Sequence, residues 1–343
     1  MEAPATFPLD ATGLATDTVP GGYGQYRYDT LTGPPDLFED LSATDWGRLT
    51  WREVGRPYEV TNYSKNRGAW EEEHRAAMPV EVQWAHFNKR FHSLFEQDVD
   101  AATQRAKAEL QSHLKALDFA EAREVVQELV QLKIWNKVHL VEDAVWDPRG
   151  KRALFDGLDV ERPEVLFLGA ADGYEAMQLL AMYGGHAVLV DYDDFCRTDR
   201  FGTFPEAYPF LGRNPATGQY DVYRRDDFDI DFEVADIRDL TYGKEFVVVV
   251  SIGLFEHFPD SLKAEVFDFH RRFLKPGGYA VMTTPRKQLR SKMFYLAMGE
   301  IMNYGYRELM DARQLGLYAY ENGFDVLRAG YIKAHNGIVC RAR

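Results

Sequence analysis

From Pro163 to the C-terminus the chain alternates short apolar runs with amphipathic stretches, and this alternation leaves few folds open. Runs at Val165–Leu168, Ala187–Val190, Phe232–Ala235, Phe246–Ser251, Tyr279–Thr283, Asp325–Tyr331 and Gly337–Arg341 have the length and character of strands. Helical patterns fall between most of them, at Tyr174–Tyr183, Ser261–Phe273 and Asp311–Gly323. Such alternation predicts an α/β fold, a mostly parallel seven-stranded sheet with helices on both faces. The first crossing, VLFLGAADGYEAM (Val165–Met177), runs a buried-looking strand into Gly169, Ala170, Ala171 and Gly173 before a helix begins. Small residues at that place let backbone N–H groups and a helix N-terminus come up to a ligand, although a plain tight turn would read the same way.

Upstream the pattern differs. Residues 1–45 carry Pro, Gly, Thr and Asp in irregular order, which predicts an arm with little regular structure. Residues 46–150 are mainly helical: VEVQWAHFNKRFHSLF sets Val80, Trp84, Phe87, Phe91 and Phe95 three or four residues apart. Two further helical stretches follow, and together these long helices could pair two chains into a homodimer. WDPRGKR (Trp146–Arg152) reads as a linker, so that residues 151–343 form the α/β domain. Within it, residues 192–231 are aromatic, charged and turn-rich, which predicts a hairpin or an excursion over a pocket rather than a helix.

Composition narrows the partners. Lys and Arg number 40 against 54 Asp and Glu, and a net charge of −14 argues against nucleic acid. Two cysteines, Cys196 and Cys340, make neither a disulfide framework nor a metal site, so no metal is expected. The chain shows no secretory leader and no apolar run of membrane-span length, so a cytoplasmic protein with no membrane span is expected.

Four more features share the carboxyl-end edge of the expected sheet. HAVLVDYDD ends a strand at Asp191, and a carboxylate about 20 residues beyond a glycine turn is placed to accept from both hydroxyls of a ribose. FEVADIRDL puts Asp236 just past the next strand, where it could meet an adenine amino group. FVVVVSIGLFEHFPD ends a strand at Ser251 and continues into Phe255, Glu256 and His257, and LKPGG (Leu274–Gly278) stops a helix before YAVMTTP.

In this order the segments resemble the class I S-adenosylmethionine-dependent methyltransferases, over about Pro163 to Arg343. The flavour is that of the small-molecule and lipid enzymes. The resemblance implies a Rossmann-like fold with S-adenosylmethionine as cofactor. It places Gly169, Ala171 and Gly173 under the methionine part, Asp191 on the ribose, Asp236 with Ile237 on the adenine, and Ser251 with Ile252 as a wall. Three departures stand out. Alanine replaces the middle glycine at Ala171, costing backbone room. Phe167 stands where the family has an acid, leaving Asp172 as the local partner for the cofactor's ammonium, or simply as a helix cap. Asp191 and Asp236 are also further apart than usual, separated by the 192–231 insertion.

A sulfonium favours ring faces, for which Tyr174, Tyr192 and Phe255 are candidates, each equally readable as core. His257 is a candidate general base and Glu256 a contact for a polar or cationic acceptor, while a structural wall is the plainer reading of both. The acceptor pocket is expected between the N-terminal helices and Arg290–Leu309. Tyr58, Tyr63, Lys65, Asn66, Arg67 and Trp70 could close over the cofactor. The implied activity is O- or N-methylation of a small-molecule acceptor. Two alternatives are a lipid or C-methyltransferase resembling cyclopropane synthases, and a non-catalytic cofactor-binding protein of the same fold. A dehydrogenase fits less well because the turn lacks G-x-G-x-x-G.

Overall fold

The structure is a computed structural model that describes residues 5–7, 41, 43–141, 148–206, 208–213 and 220–343. Its centre is a seven-stranded sheet built from β1 (Glu164–Leu168), β2 (His186–Asp191), β3 (Asp229–Val234), β4 (Phe246–Ile252), β5 (Leu274–Pro285), β6 (Phe324–Ile332) and β7 (His335–Ala342). The spatial order is β3-β2-β1-β4-β5-β7-β6. β3, β2, β1, β4 and β5 pair in parallel, while β7 runs antiparallel to both β5 and β6. The order reverses between β1 and β4, which is where open α/β sheets place their ligand crevice.

Side-chain alternation along the central strands creates two cores. Leu166, Leu168, Val188, Val190 and Val249 face one side, and Val165, Phe167, Ala187, Leu189 and Val250 the other. The helices that pack on the sheet or border the site include α1 (Val80–Glu96), α2 (Val99–Lys115), α3 (Phe119–Trp135), α4 (Pro148–Phe155), α5 (Tyr174–Tyr183), α6 (Lys263–Phe273), α7 (Leu289–Ala297) and α8 (Ala312–Glu321). Val266 and Phe267 of α6 with Leu315 and Tyr318 of α8 fill the first core. Leu154 and Phe155 of α4 with Leu179 and Leu180 of α5 fill the second. The central strands are buried on both faces and read as continuous apolar runs, whereas the edge strand β3 (DIDFEV) is half-buried and reads as alternating apolar and acidic residues.

Two expectations change. The linker expected at Trp146–Arg152 gives way to helix α4 from Pro148 onward, while residues 142–147 lie outside the described residues. Proline at the first helical position has no N–H to lose, so DPRG can open a helix as well as a turn. Of the expected irregular arm, residues 1–4, 8–40 and 42 lie outside the described residues, whereas Ala5–Phe7 pairs antiparallel with Tyr220–Tyr223.

The insertion does contain a hairpin, Phe210–Arg213 with Tyr220–Tyr223. It packs on α5 rather than over the crevice: Gln178 Nε2 donates to the Leu211 carbonyl, and Tyr208 and Phe210 meet the ring of Tyr174. The third core joins this hairpin to α1, α3 and α7 through Phe95, Trp135 and Tyr295. Trp135 Nε1 donates to the Leu94 carbonyl at 3.0 Å, tying α3 to α1. These helices thereby roof the carboxyl edge of the sheet.

Candidate active site

Two adjoining cavities, of about 220 and 370 Å³, open along the carboxyl edge and share Gly169, Ala171, Arg200, Ile252, Tyr295 and His335 in their walls. The floor is the turn after β1. Gly169, Ala171 and Gly173 all have positive φ, at 67°, 52° and 73°. A side chain on Gly173 would run into Leu189 and Phe201. Ala171 adopts the left-handed conformation despite its Cβ, at a cost of about 1 kcal/mol or more. Asp191 offsets that cost: Ala171 N donates to Asp191 Oδ2 at 3.0 Å, and Asp193 N to Oδ1 at 3.3 Å. Burial pushes the Asp191 carboxyl up, against the pull of those two backbone bonds and of Arg200.

Asp191 and Tyr192 line the larger cavity, with Asp236 and Ile237 beyond them. The Tyr192 hydroxyl is buried and has no hydrogen-bond partner. Asp236 accepts from Arg238 Nε at 3.0 Å and Nη2 at 2.7 Å, and these bonds hold its carboxyl below the usual range. Asp172 lines the smaller cavity, yet its Oδ1 accepts from Tyr174 N at 3.2 Å and its Oδ2 lies 3.6 Å from Arg200 Nη2. Capping and ion pairing are thus what it does in this structure.

Several expected residues stand elsewhere. Ser251 is fully buried behind the cavity wall, with its Oγ 2.8 Å from His270 Nε2; the neighbouring Ile252 supplies the wall. Tyr174 and Phe255 are core, the first against Tyr208 and the second 4.3 Å from the Phe267 ring. Strand residues alternate and helix residues rotate, so one position along the chain decides cavity or core. The Tyr58–Trp70 segment does not reach the turn. Tyr58 pairs with Leu309, Lys65 bonds Glu124 at 3.0 Å, and Arg67 lies over Tyr63 and donates to the Tyr304 carbonyl.

Glu256 and His257 follow β4 on a short helical turn, and both face the larger cavity. His257 Nδ1 lies 2.9 Å from the Tyr306 carbonyl, which makes it the protonated nitrogen and leaves the Nε2 lone pair free, 3.7 Å from Glu256 Oε1. Burial, reinforced by Arg307, holds this imidazole well below its ordinary range. Burial pushes Glu256 up to about 7, even with Arg307 Nη1 3.6 Å away. Glu256 Oε2 and Arg307 Nε are buried with no hydrogen-bond partner. Lys263 braces the turn from below, donating to the Phe255 carbonyl at 2.8 Å and forming an ion pair with Glu308 Oε2 at 2.8 Å.

The apolar stripe of α1 lies along the cavity, on the side where the N-terminal helices were expected to contribute. Val80, Trp84, Phe87 and Phe91 line the cavity, and only Phe95 at its end is core. Tyr295 and Met302 complete that wall. Arg200, Lys151, Glu175 and His335 line the site without having been singled out in the sequence. His335 opens β7, whose reversed direction brings its first residue to this edge; burial lowers it to about 3. Among the described residues no cluster of side chains could hold a metal ion. Nor is any described helix long and apolar enough to cross a membrane.

A Rossmann-like sheet with one reversed strand, and a crevice floored by a left-handed turn clamped to a strand-end carboxylate, defines a nucleotide-binding α/β class. A methyltransferase-domain family profile matches residues 139–329, more than half of the chain. The chain therefore belongs to the class I S-adenosylmethionine-dependent methyltransferases. No curated protein matches the sequence. Similar solved structures include human N-acetylserotonin methyltransferase in complex with SAM, at 12% identity and TM-score 0.42, over 65% of this chain and 56% of that one. Another is the Burkholderia thailandensis 1,6-didemethyltoxoflavin-N1-methyltransferase with bound 1,6-didemethyltoxoflavin and S-adenosylhomocysteine, at 13% identity and TM-score 0.39, over 62% and 87% of the two chains. The cyclopropane synthase MmaA2 from Mycobacterium tuberculosis aligns at 18% identity and TM-score 0.39, over 53% and 62%. The match thus spans little more than half of the human enzyme, and likenesses this distant say nothing about the acceptor.

Proposed function

We propose that this methyltransferase acts on the hydroxyl or amine of a small, partly aromatic molecule held under α1. The observation that carries the cofactor half of this reading is the Asp191 carboxylate, locked to the Ala171 amide and lining the same cavity as the turn. In this reading the Asp191 carboxylate, which already accepts from the Ala171 and Asp193 amides and from Cys196, uses its remaining lone-pair capacity for the ribose hydroxyls. Ile237 and Leu254 flank the base, and Tyr192 offers it an unpaired hydroxyl. Asp236, already paired with Arg238, presents the adenine edge with an ion pair rather than a lone carboxylate. The backbone of Gly169–Gly173 carries the methionine end. When bound, S-adenosylmethionine supplies an electrophilic methyl on a sulfonium, a good leaving group, so the protein's tasks are alignment and exclusion of water.

On the acceptor side, the rings of Trp84, Phe87 and Tyr295 give a flat apolar chamber. Glu256 is the base in this reading: a group titrating near 7 is matched to proton removal at working pH. Its Oε2 takes the acceptor proton, and Arg307 balances the charge that Glu256 carries when ionised. His257, held neutral and fixed by Tyr306, orients the acceptor through Nε2.

Titration calorimetry with S-adenosylhomocysteine and with NAD tests the cofactor half. The sulfur nucleoside should bind and NAD should not. Asp191→Ala should weaken binding by about 100-fold, the loss of two hydrogen bonds to a charged acceptor at roughly 1.5 kcal/mol each. An unchanged affinity would show that the ribose lies elsewhere.

A further inference from the structure

The smaller cavity, of about 220 Å³, contains an arrangement of charge that the reading above does not use. Lys151 on α4 and Glu175 on α5 are both buried, at 6% and 9% side-chain exposure, and Lys151 Nζ lies 2.7 Å from Glu175 Oε1. Beside them Arg200 Nη2 lies 3.6 Å from Asp172 Oδ2, with 8% and 15% of those side chains exposed. All four line the cavity, next to the Gly169–Ala171 turn. Arg200 is further fixed by donating to Asn88 Oδ1 at 2.9 Å. Phe167 lies in the same wall, so the end of β1 offers this cavity an apolar ring and no carboxylate.

Two buried ion pairs are a poor way to stabilise a fold, because the cost of desolvation offsets the attraction. They do make a polar site that stays neutral with or without a zwitterion in it. We propose that this quartet is the receptor for the α-amino-acid end of the cofactor, with Glu175 and Asp172 receiving the ammonium and Lys151 and Arg200 the carboxylate. The inference rests on the cofactor reading above. An entering zwitterion brings one positive and one negative group, so each buried ion exchanges or shares a partner and none is left alone. The acid that Phe167 displaces from the end of β1 is thereby replaced from the first turn of α5. Glu175 lies two residues beyond Gly173, which keeps it beside the turn. Lys151 reaches the cavity only because α4 packs along α5.

Calorimetry on the full chain compares S-adenosylhomocysteine with 5′-methylthioadenosine, which keeps the nucleoside and lacks the amino acid, and with the deaminated and decarboxylated homologues. Each charged group removed from the ligand should cost at least about tenfold in affinity, the lower end for a charge-assisted hydrogen bond. Methylthioadenosine should bind at least about 100-fold more weakly than S-adenosylhomocysteine, by the same arithmetic. Glu175→Gln should close much of that gap by weakening only the amino-acid-bearing ligand. Equal affinity of the wild-type chain for both nucleosides would overturn the proposal. So would a Glu175→Gln chain in which both ligands weaken alike, the mark of a structural role. Failure of both nucleosides to bind would instead strike the cofactor reading, and this receptor with it. If Glu175→Gln does not fold, Asp172→Asn read against the same two ligands takes its place, because loss of the Arg200 partner should weaken only the amino-acid-bearing nucleoside.

Discussion

Replacing Glu256 with Gln should change how stability depends on pH, by an amount set by the burial of that carboxyl. The side chain is buried at the cavity wall and is pushed up to about 7 in the folded chain, against an ordinary value of 4.5. Its folded pKa is raised, so between those two values the native state holds a proton that the unfolded chain has released. Stability from this group is complete below pH 4.5 and is lost as pH rises through 7. At 1.36 kcal/mol per pH unit the loss sums to about 3 kcal/mol. Gln cannot titrate and has nearly the same shape, so the variant should lack this slope. Urea unfolding followed by tryptophan fluorescence, repeated from pH 5 to pH 8, measures both curves. The histidines buried neutral (His257, His270 and His335) resist acid equally in both proteins, so the difference between the curves isolates Glu256. The wild type should lose about 2.5 kcal/mol relative to the variant across that range. Parallel curves would mean that Glu256 is ionised throughout, and the base assignment would lose its physical footing.

Further outcomes follow from the same geometry. His257 should remain the neutral Nδ1–H tautomer on acidification from pH 8 to pH 6, seen as constant 15N imidazole shifts, because burial holds its pKa well below the usual range; titration near the ordinary value would contradict its burial. Ser251→Ala should leave S-adenosylhomocysteine affinity unchanged, since Ser251 stands behind the wall, but should cost about 1–3 kcal/mol in stability by leaving His270 Nε2 unsatisfied. A clear loss of affinity would return Ser251 to the site. Ala171→Gly should stabilise the chain by about 0.5–1 kcal/mol, the relief of left-handed strain less the entropy of a freer unfolded chain. Destabilisation on denaturant melting would show that the Ala171 methyl makes contacts worth more than its strain.

Which parts of this molecule could be read in advance follows from the range of the forces involved. The seven strands, helix α5, and the placement of Gly169, Asp191 and Asp236 at one edge depend on local pattern and on the right-handed βαβ crossover, so the sequence alone was enough for them. Which side chain turns inward is a different matter. Ser251 and Ile252 are neighbours, yet one bonds His270 in the core and the other walls the cavity. The stripe on α1 announced an amphipathic helix beside the acceptor pocket, but not which of its rings would face the cavity and which the core. Lys151 sat in apparent linker text and His335 in an unremarked turn, and nothing local to either residue points to a cavity. They converge only because α4 lies along α5 and β7 runs against its neighbours. Periodicity and turn chemistry act over a few residues and are written in the chain. Burial, and with it the raised carboxyl of Glu256 and the paired charges beside the turn, arises from contacts between residues tens to hundreds of positions apart, and exists only once the chain is folded.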